Sequence, residues 1–195
     1  AELYWRLAEQ NNLARIFFIN KMRRENANFE GVVEGIRTRF GKAAVAVQVP
    51  VGSELNFRGV VDIVSDKAYT WNEGKEPQEG PVPAELADTV AEYRNTLIEA
   101  LADVDEELGD KFLMEEEITR EDIIRGIRKG VRERTLFPIL LGAGADNIGV
   151  QPLLDLIVEC VPSPLDRGTV TGKHPDTGEE EKRQTGMDAP FSAYV

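Results

Sequence analysis

Cysteine and histidine are nearly missing from this sequence: Cys160 and His174 are the single representatives in 195 residues. One cysteine cannot close a disulfide within the chain, and one Cys with one His cannot complete a zinc site. That usage fits a reducing compartment, and the cytoplasm is the expected location. Positive charge is also scarce. Lys and Arg number 23 against 35 Asp and Glu, giving a formal net charge of −12 and a pI near 4.7. A nucleic-acid footprint needs the opposite balance, so direct nucleic-acid binding by this chain is not expected. No apolar run approaches the ~20 residues that span a bilayer, and no secretory leader is visible. No Gly-Lys pair is followed by Ser or Thr, since Gly41-Lys42, Gly74-Lys75 and Gly172-Lys173 all lack the hydroxyl that a phosphate-binding loop uses on its metal ion. No nucleophile–base pair or carboxylate pair compels a catalytic reading, so no catalytic and no metal-ligating residue is assigned. The chain opens inside a helix pattern without an initiator Met and closes on Phe191–Val195, the start of a strand pattern. A piece of a longer protein is expected.

What is present alternates. Ala1–Gln10 has helical spacing. Ala14–Asn20 is a short apolar run of the kind that forms a strand buried on both faces. Asn28 is placed to cap an amphipathic helix Phe29–Phe40 with Val32, Val33, Ile36 and Phe40 inward, and Gly41 stops it. Ala43–Pro50, Gly59–Val64 and Ala68–Trp71 read as a small β-meander, and Glu73–Pro83 as a surface loop. Ala84–Arg134 is helical, with Thr119 and Asp122 set as a capping box for Arg120–Arg134. Leu136–Leu141 is a second strand, Gly142–Ala145 a loop, Val150–Val161 a helix, and residues 166–186 a polar linker. The fold class is α/β: part of a doubly wound sheet with an inserted α+β subdomain.

In such sheets, ligands lie beyond the carboxyl ends of the strands. Two loops fall there, Asn20–Arg23 and Gly142–Ala145. An Asn offers a donor and an acceptor, a Lys stem can cover a ring, and a Gly/Ala loop lets backbone N–H groups approach a planar ligand. The two loops therefore read either as a base-binding rim or as two ordinary strand-to-helix turns.

The string Ile19-Asn20-Lys21-Met22-Arg23-Arg24-Glu25-Asn26-Ala27-Asn28-Phe29 resembles the Asn-Lys-x-Asp region of the translational GTPases of the elongation factor G family. Phe57–Val64 with Lys67-Ala68-Tyr69 is similar to that family's insert. Gly142–Ala145 through Gly149–Asp155 and Val161-Pro162-Ser163-Pro164 is similar to its last guanine loop and closing helix. The resemblance implies a P-loop GTPase sheet divided as follows: residues 1–41 and 135–164 in the GTP-binding domain, 42–134 in the insert, and 165–195 leading into a β-barrel domain. It implies nucleotide contacts at Asn20, Lys21, Met22, Arg23, Ala143, Gly144 and Ala145. It also implies GTP or GDP with Mg2+ in the longer protein, hydrolysis by parts outside this chain, and a monomer acting on the ribosome.

Three positions depart from the family pattern. Arg23 stands where the family has an Asp that accepts from guanine. Ala143 and Gly144 stand where it has Ser and Ala. Three readings of Arg23 stay open: an ordinary GTPase with lowered guanine affinity, a relative with lost or changed selectivity, or a sequence change. Residues 84–122 carry fourteen Asp/Glu against three Lys/Arg. That field is either a solvated face or a docking surface at Glu106, Glu107 and Glu115, and the resemblance points to the ribosomal stalk protein. The alternative to a translocating GTPase is a docking module whose nucleotide site has degenerated.

Overall fold

A computed structural model describes residues 1–72, 76–174, 176–189 and 191. They fall into two compact units, Ala1–Val161 and Pro162–Val195.

The first unit carries the two strand types expected. A parallel sheet runs in the order β1 (Phe17–Ile19), β7 (Phe137–Leu141), β2 (Ala44–Ala46). All five residues of β7 are buried, so the continuous apolar run Phe137–Leu141 meets protein on both faces. An antiparallel meander follows in the order β3 (Gln48–Val51), β4 (Gly59–Asp62), β5 (Lys67–Thr70), β6 (Gln78–Pro81). The run Ala43–Pro50, expected as one meander strand, is divided between the sheets. Its first half pairs with β7, and its second half pairs with β4. The expected loop Glu73–Pro83 likewise contributes β6, while its residues 73–75 lie outside the described residues.

Val47 and Gln48 make the seam between the sheets. The Val47 N–H donates to Ile139 O at 3.0 Å while the Val47 carbonyl accepts from Ile63 N at 3.0 Å. Gln48, only 2% exposed, accepts from the Leu141 N–H at 3.3 Å. A buried amide without partners would be costly, so this contact fixes where the strand crosses from one sheet to the other.

The helices are α1 (Glu2–Gln10), α2 (Phe29–Phe40), α3 (Ala87–Ala102), α4 (Glu106–Leu113), α5 (Arg120–Glu133) and α6 (Val150–Cys160). The stretch expected to be helical from Ala84 to Arg134 breaks twice, at Asp103 and Met114, where the α3 and α4 caps lie. The Asn28 side chain caps α2 by accepting from Gly31 N, and Gly41 ends it at φ 98. Val33 is buried, but Val32 points outward at 42% exposure, contrary to the expected inward set. The Thr119–Asp122 capping box is formed in both directions. Leu97, Leu101, Leu108, Ile123, Ile127 and Val131 pack α3, α4 and α5 together with no residual exposure. Phe112 of α4 is 40% exposed and stands at the margin of this cluster. Cys160 is buried in α6, and burial pushes its thiol up to about 11.

Trp5 anchors α1 by stacking on Phe17 and meeting Phe137 edge-on, at centroid distances of 5.1 and 4.7 Å. Arg15 lies over the Trp5 and Phe137 rings at 4.1 and 4.5 Å.

The second unit is a capped turn at Pro164–Arg167 followed by a hairpin of β8 (Thr169–Lys173) and β9 (Glu180–Gln184), paired from Thr169↔Gln184 to Lys173↔Glu180. A polar linker was expected there; alternating exposure along β9 shows why its polarity is compatible with a strand. Most of the strand pattern expected at Phe191–Val195 lies outside the described residues. No helix among the described residues is long and apolar enough to cross a membrane.

Candidate functional site

The register of β1 on β7 decides which loops meet. Ile19 pairs with Leu141, so both strands end at the same level and the loops after them emerge side by side. Gly142 N donates to Ile19 O at 2.9 Å, and Met22 N donates back to Gly142 O at 3.1 Å. Met22 is 3% exposed and Ala143 2%, so these two are anchors beneath the rim rather than contact groups. Asn20, Lys21, Gly144 and Ala145 are exposed above them.

Asn20 ties the rim together. Its side-chain oxygen accepts from Gly144 N at 2.9 Å and from Lys21 N at 2.7 Å. A side-chain bond bridging 124 residues of sequence is specific to this fold, and it leaves the Asn20 NH2 to donate elsewhere. Lys21 is left-handed at φ 66, which turns the chain sharply away from the strand axis. The seven expected site residues thus come together at one corner, as two buried anchors and an exposed rim.

Arg23 does not stand alone. Its guanidinium lies 3.4 Å from the Asp146 carboxylate. Both groups are partly exposed, so the pair contributes little to stability. Sequence reading missed Asp146 as a member of the site. Asp146-Asn147-Ile148-Gly149 is a turn, closed by an antiparallel bridge between Ala143 and Ile148, with Asn147 left-handed at φ 57. The available signal was a charge opposite to Arg23 three residues beyond Ala143. Arg has donors only, so it cannot replace the acceptor that guanine's N1–H and amino group require. The corner still holds one carboxylate, supplied by Asp146 from the opposite loop. The exposed rim is thus Asn20, Lys21, Gly144 and Ala145, and position 23 does not offer the acceptor that an Asp would supply there.

Beyond Arg23 the insert closes on the same corner. A cavity of about 890 Å3 is lined by Arg23, Asp146 and Gln151 on one side and by Phe57, Arg58 and Trp71 on the other.

The docking residues expected on the insert are all exposed. Glu106 and Glu107 fill the first turn of α4, and Glu107 pairs with Arg125 of α5 at 3.4 Å. Glu115 is left-handed at φ 56 just beyond α4. Leu113 and Met114, 80% and 69% exposed, lie beside this acidic run. Among the described residues, no group of three or more His, Cys, Asp or Glu is disposed to hold a metal ion.

A parallel sheet with two joined loops at its carboxyl end, interrupted by an α+β insert, defines the class: a P-loop-type GTP-binding α/β domain. Residues 1–163 match the family described as the elongation factor Tu GTP binding domain. An elongation factor G from Cytophaga hutchinsonii is 42% identical over 199 positions, covering all of this chain and 28% of that protein. A crystal structure of a Thermus thermophilus protein is similar with a TM-score of 0.77 at 29% identity, over 94% of this chain and 28% of that one. The chain belongs to the elongation factor Tu GTP-binding domain family, and it spans little more than a quarter of the length of the elongation factor G to which it is similar.

Proposed function

We propose that this chain supplies the base-contact half of the guanine-nucleotide site in an elongation factor G-like protein acting in ribosomal translocation. The observation that carries this reading is the Asn20 side chain bonded to Gly144 N, which sets two loops remote in sequence as one rim. Asn20 and Lys21 frame the base from one side, with Gly144 and Ala145 on the other. GTP or GDP with Mg2+ is the ligand of the longer protein. The chemistry of hydrolysis belongs to its phosphate-binding and switch parts; this chain's residues bind and orient. Residues 1–41 and 135–164 belong to the GTP-binding domain, 42–134 to the insert, and 165–195 to the lead into the next domain. The protein acts as a cytoplasmic monomer on the ribosome, with Glu106, Glu107 and Glu115 of the insert meeting the stalk protein.

A second reading is favoured by Arg23: a docking module whose nucleotide site has decayed. GDP affinity of the full-length protein, with and without Arg23→Asp, separates the two. Under the first reading the unsubstituted protein binds GDP, and Arg23→Asp tightens binding by about tenfold, or roughly 1.4 kcal/mol. GDP binding absent from both proteins establishes the docking module instead.

A further inference from the structure

We propose that Glu54 is a positioning residue for the base-contact loop: reaching across from the insert, it holds the turn behind Lys21 and Arg23 and so sets how long a guanine nucleotide stays bound. The proposal rests on the base-contact reading above.

Glu54 opens a short turn, Glu54–Asn56, between β3 and β4. Its backbone is left-handed at φ 50, a conformation that Cβ crowding disfavours. The surroundings enforce it. Gly52 sits at φ 80 against the Asn56 carbonyl oxygen, where any Cβ would overlap that atom. Asn56 N donates to Ser53 O and Phe57 N to Glu54 O, both at 2.9 Å, and Arg58 N donates to Val51 O at 3.0 Å. Phe57, 1% exposed, roots the turn in the core. A non-glycine residue held in a disfavoured conformation by such constraints marks a candidate for function.

The conformation delivers the Glu54 carboxylate to the neighbouring loop. It accepts from the Asn26 N–H at 2.9 Å, across 28 residues of sequence. Asn26 is itself left-handed, at φ 63. The loop around it is two consecutive turns, Arg24 N to Lys21 O at 2.9 Å and Ala27 N to Arg24 O at 3.1 Å. Asn20 fastens the front of this loop to Gly144, and Asn28 fastens the back to α2 through Gly31. Between Arg24 and Ala27, the Glu54–Asn26 contact is the one hydrogen bond arriving from outside the loop among the described residues. An ionised acceptor makes it stronger than a neutral one. Glu54 is half-buried and fills no core space, so its removal loosens the loop without emptying the interior.

The test uses the full-length protein with Glu54→Ala and Glu54→Gln, a fluorescent GDP analogue for dissociation, and amide hydrogen exchange over residues 21–28. Glu54→Ala is expected to speed GDP release about 3- to 10-fold, with faster exchange at Asn26 and little change in melting temperature. Glu54→Gln keeps an acceptor oxygen at the same reach and is expected to restore release to within about twofold of the unsubstituted protein. Release from Glu54→Ala equal to that of the unsubstituted protein would overturn the proposal. So would Glu54→Gln releasing as fast as Glu54→Ala, which separates loop positioning from a general loss of structure. A protein that binds no GDP at all overturns the base-contact reading and the residence-time role together. Exchange at Asn26 then reports separately whether Glu54 fastens the loop.

Discussion

Asp122 sits where three demands meet. It is 4% exposed, completes the capping box of α5 through Thr119, and takes an ion pair from Lys111 at 2.8 Å and another from Arg125 at 3.2 Å. The Lys111 hydrogen bond, followed by the Thr119 backbone N–H, holds its carboxyl well below the ordinary value of 3.8. A carboxylate whose folded pKa is depressed stabilises the protein above its unfolded pKa, and that contribution disappears as pH falls toward the folded value. Stability of the unsubstituted chain is therefore expected to fall as pH drops below about 4. Asp122→Asn, lacking the titrating group, has a lower urea midpoint at pH 7 and a flatter decline into acid. Equal slopes for the two proteins would show that other carboxylates govern acid sensitivity. The capping box itself was legible from Thr119 and Asp122 alone because capping is local. The Lys111 and Arg125 partners depend on how α4 returns against α5, which no local pattern carries.

At the scale of elements, α5 lies close to its neighbours because of a missing side chain. A Cβ on Gly130 would stand 2.5 Å from the Leu136 Cβ, while the Thr135 and Leu136 N–H groups both donate to Gly130 O. In an open helix, Gly→Ala stabilises by up to about 1 kcal/mol. Here Gly130→Ala is expected to destabilise by about 1–3 kcal/mol, since the contact forces α5 away from the start of β7. A raised melting temperature would show that the helix end can shift freely. The elements differ in how readable they were. Both ends of α2 were legible because Asn28 and Gly41 are local signals, whereas Val32 of its apolar stripe turned outward. The run Ala43–Pro50 was not legible, because alternation reports a strand but not its partner, and this run has two. The α6 pattern gave the helix without its surroundings: Leu154, Ile157 and Val158 are 54%, 37% and 84% exposed. Apolar spacing announces a face to be covered without saying what covers it. At the site, Asn20 and Lys21 were recognisable from their string, whereas Asp146 and Glu54 joined it only through tertiary approach.

At the scale of the molecule, the outer strands of the parallel sheet, β1 and β2, each have β7 as their sheet partner among the described residues. Among those residues the other edge of β1 is left without a strand. Strand edges invite pairing between chains, and the exposed Leu154, Ile157 and Val158 of α6 add apolar surface. The isolated 195-residue chain is expected to self-associate with rising concentration, and Val158→Glu to shift it toward monomer in sedimentation velocity. A monomer at every concentration, with or without the substitution, would show that edge and face are both innocuous. The seam at Val47–Gln48 has a different reach. One stretch of backbone passes from the parallel sheet into the meander with no loop between them, and the Gln48 amide grips the end of β7 as it passes. A tug on the insert therefore arrives undamped at the strand that carries the Gly142–Ala145 loop. Pulled from the tip of α4, the two sheets should give way in one rupture, so the insert behaves as a lever rather than a tethered float.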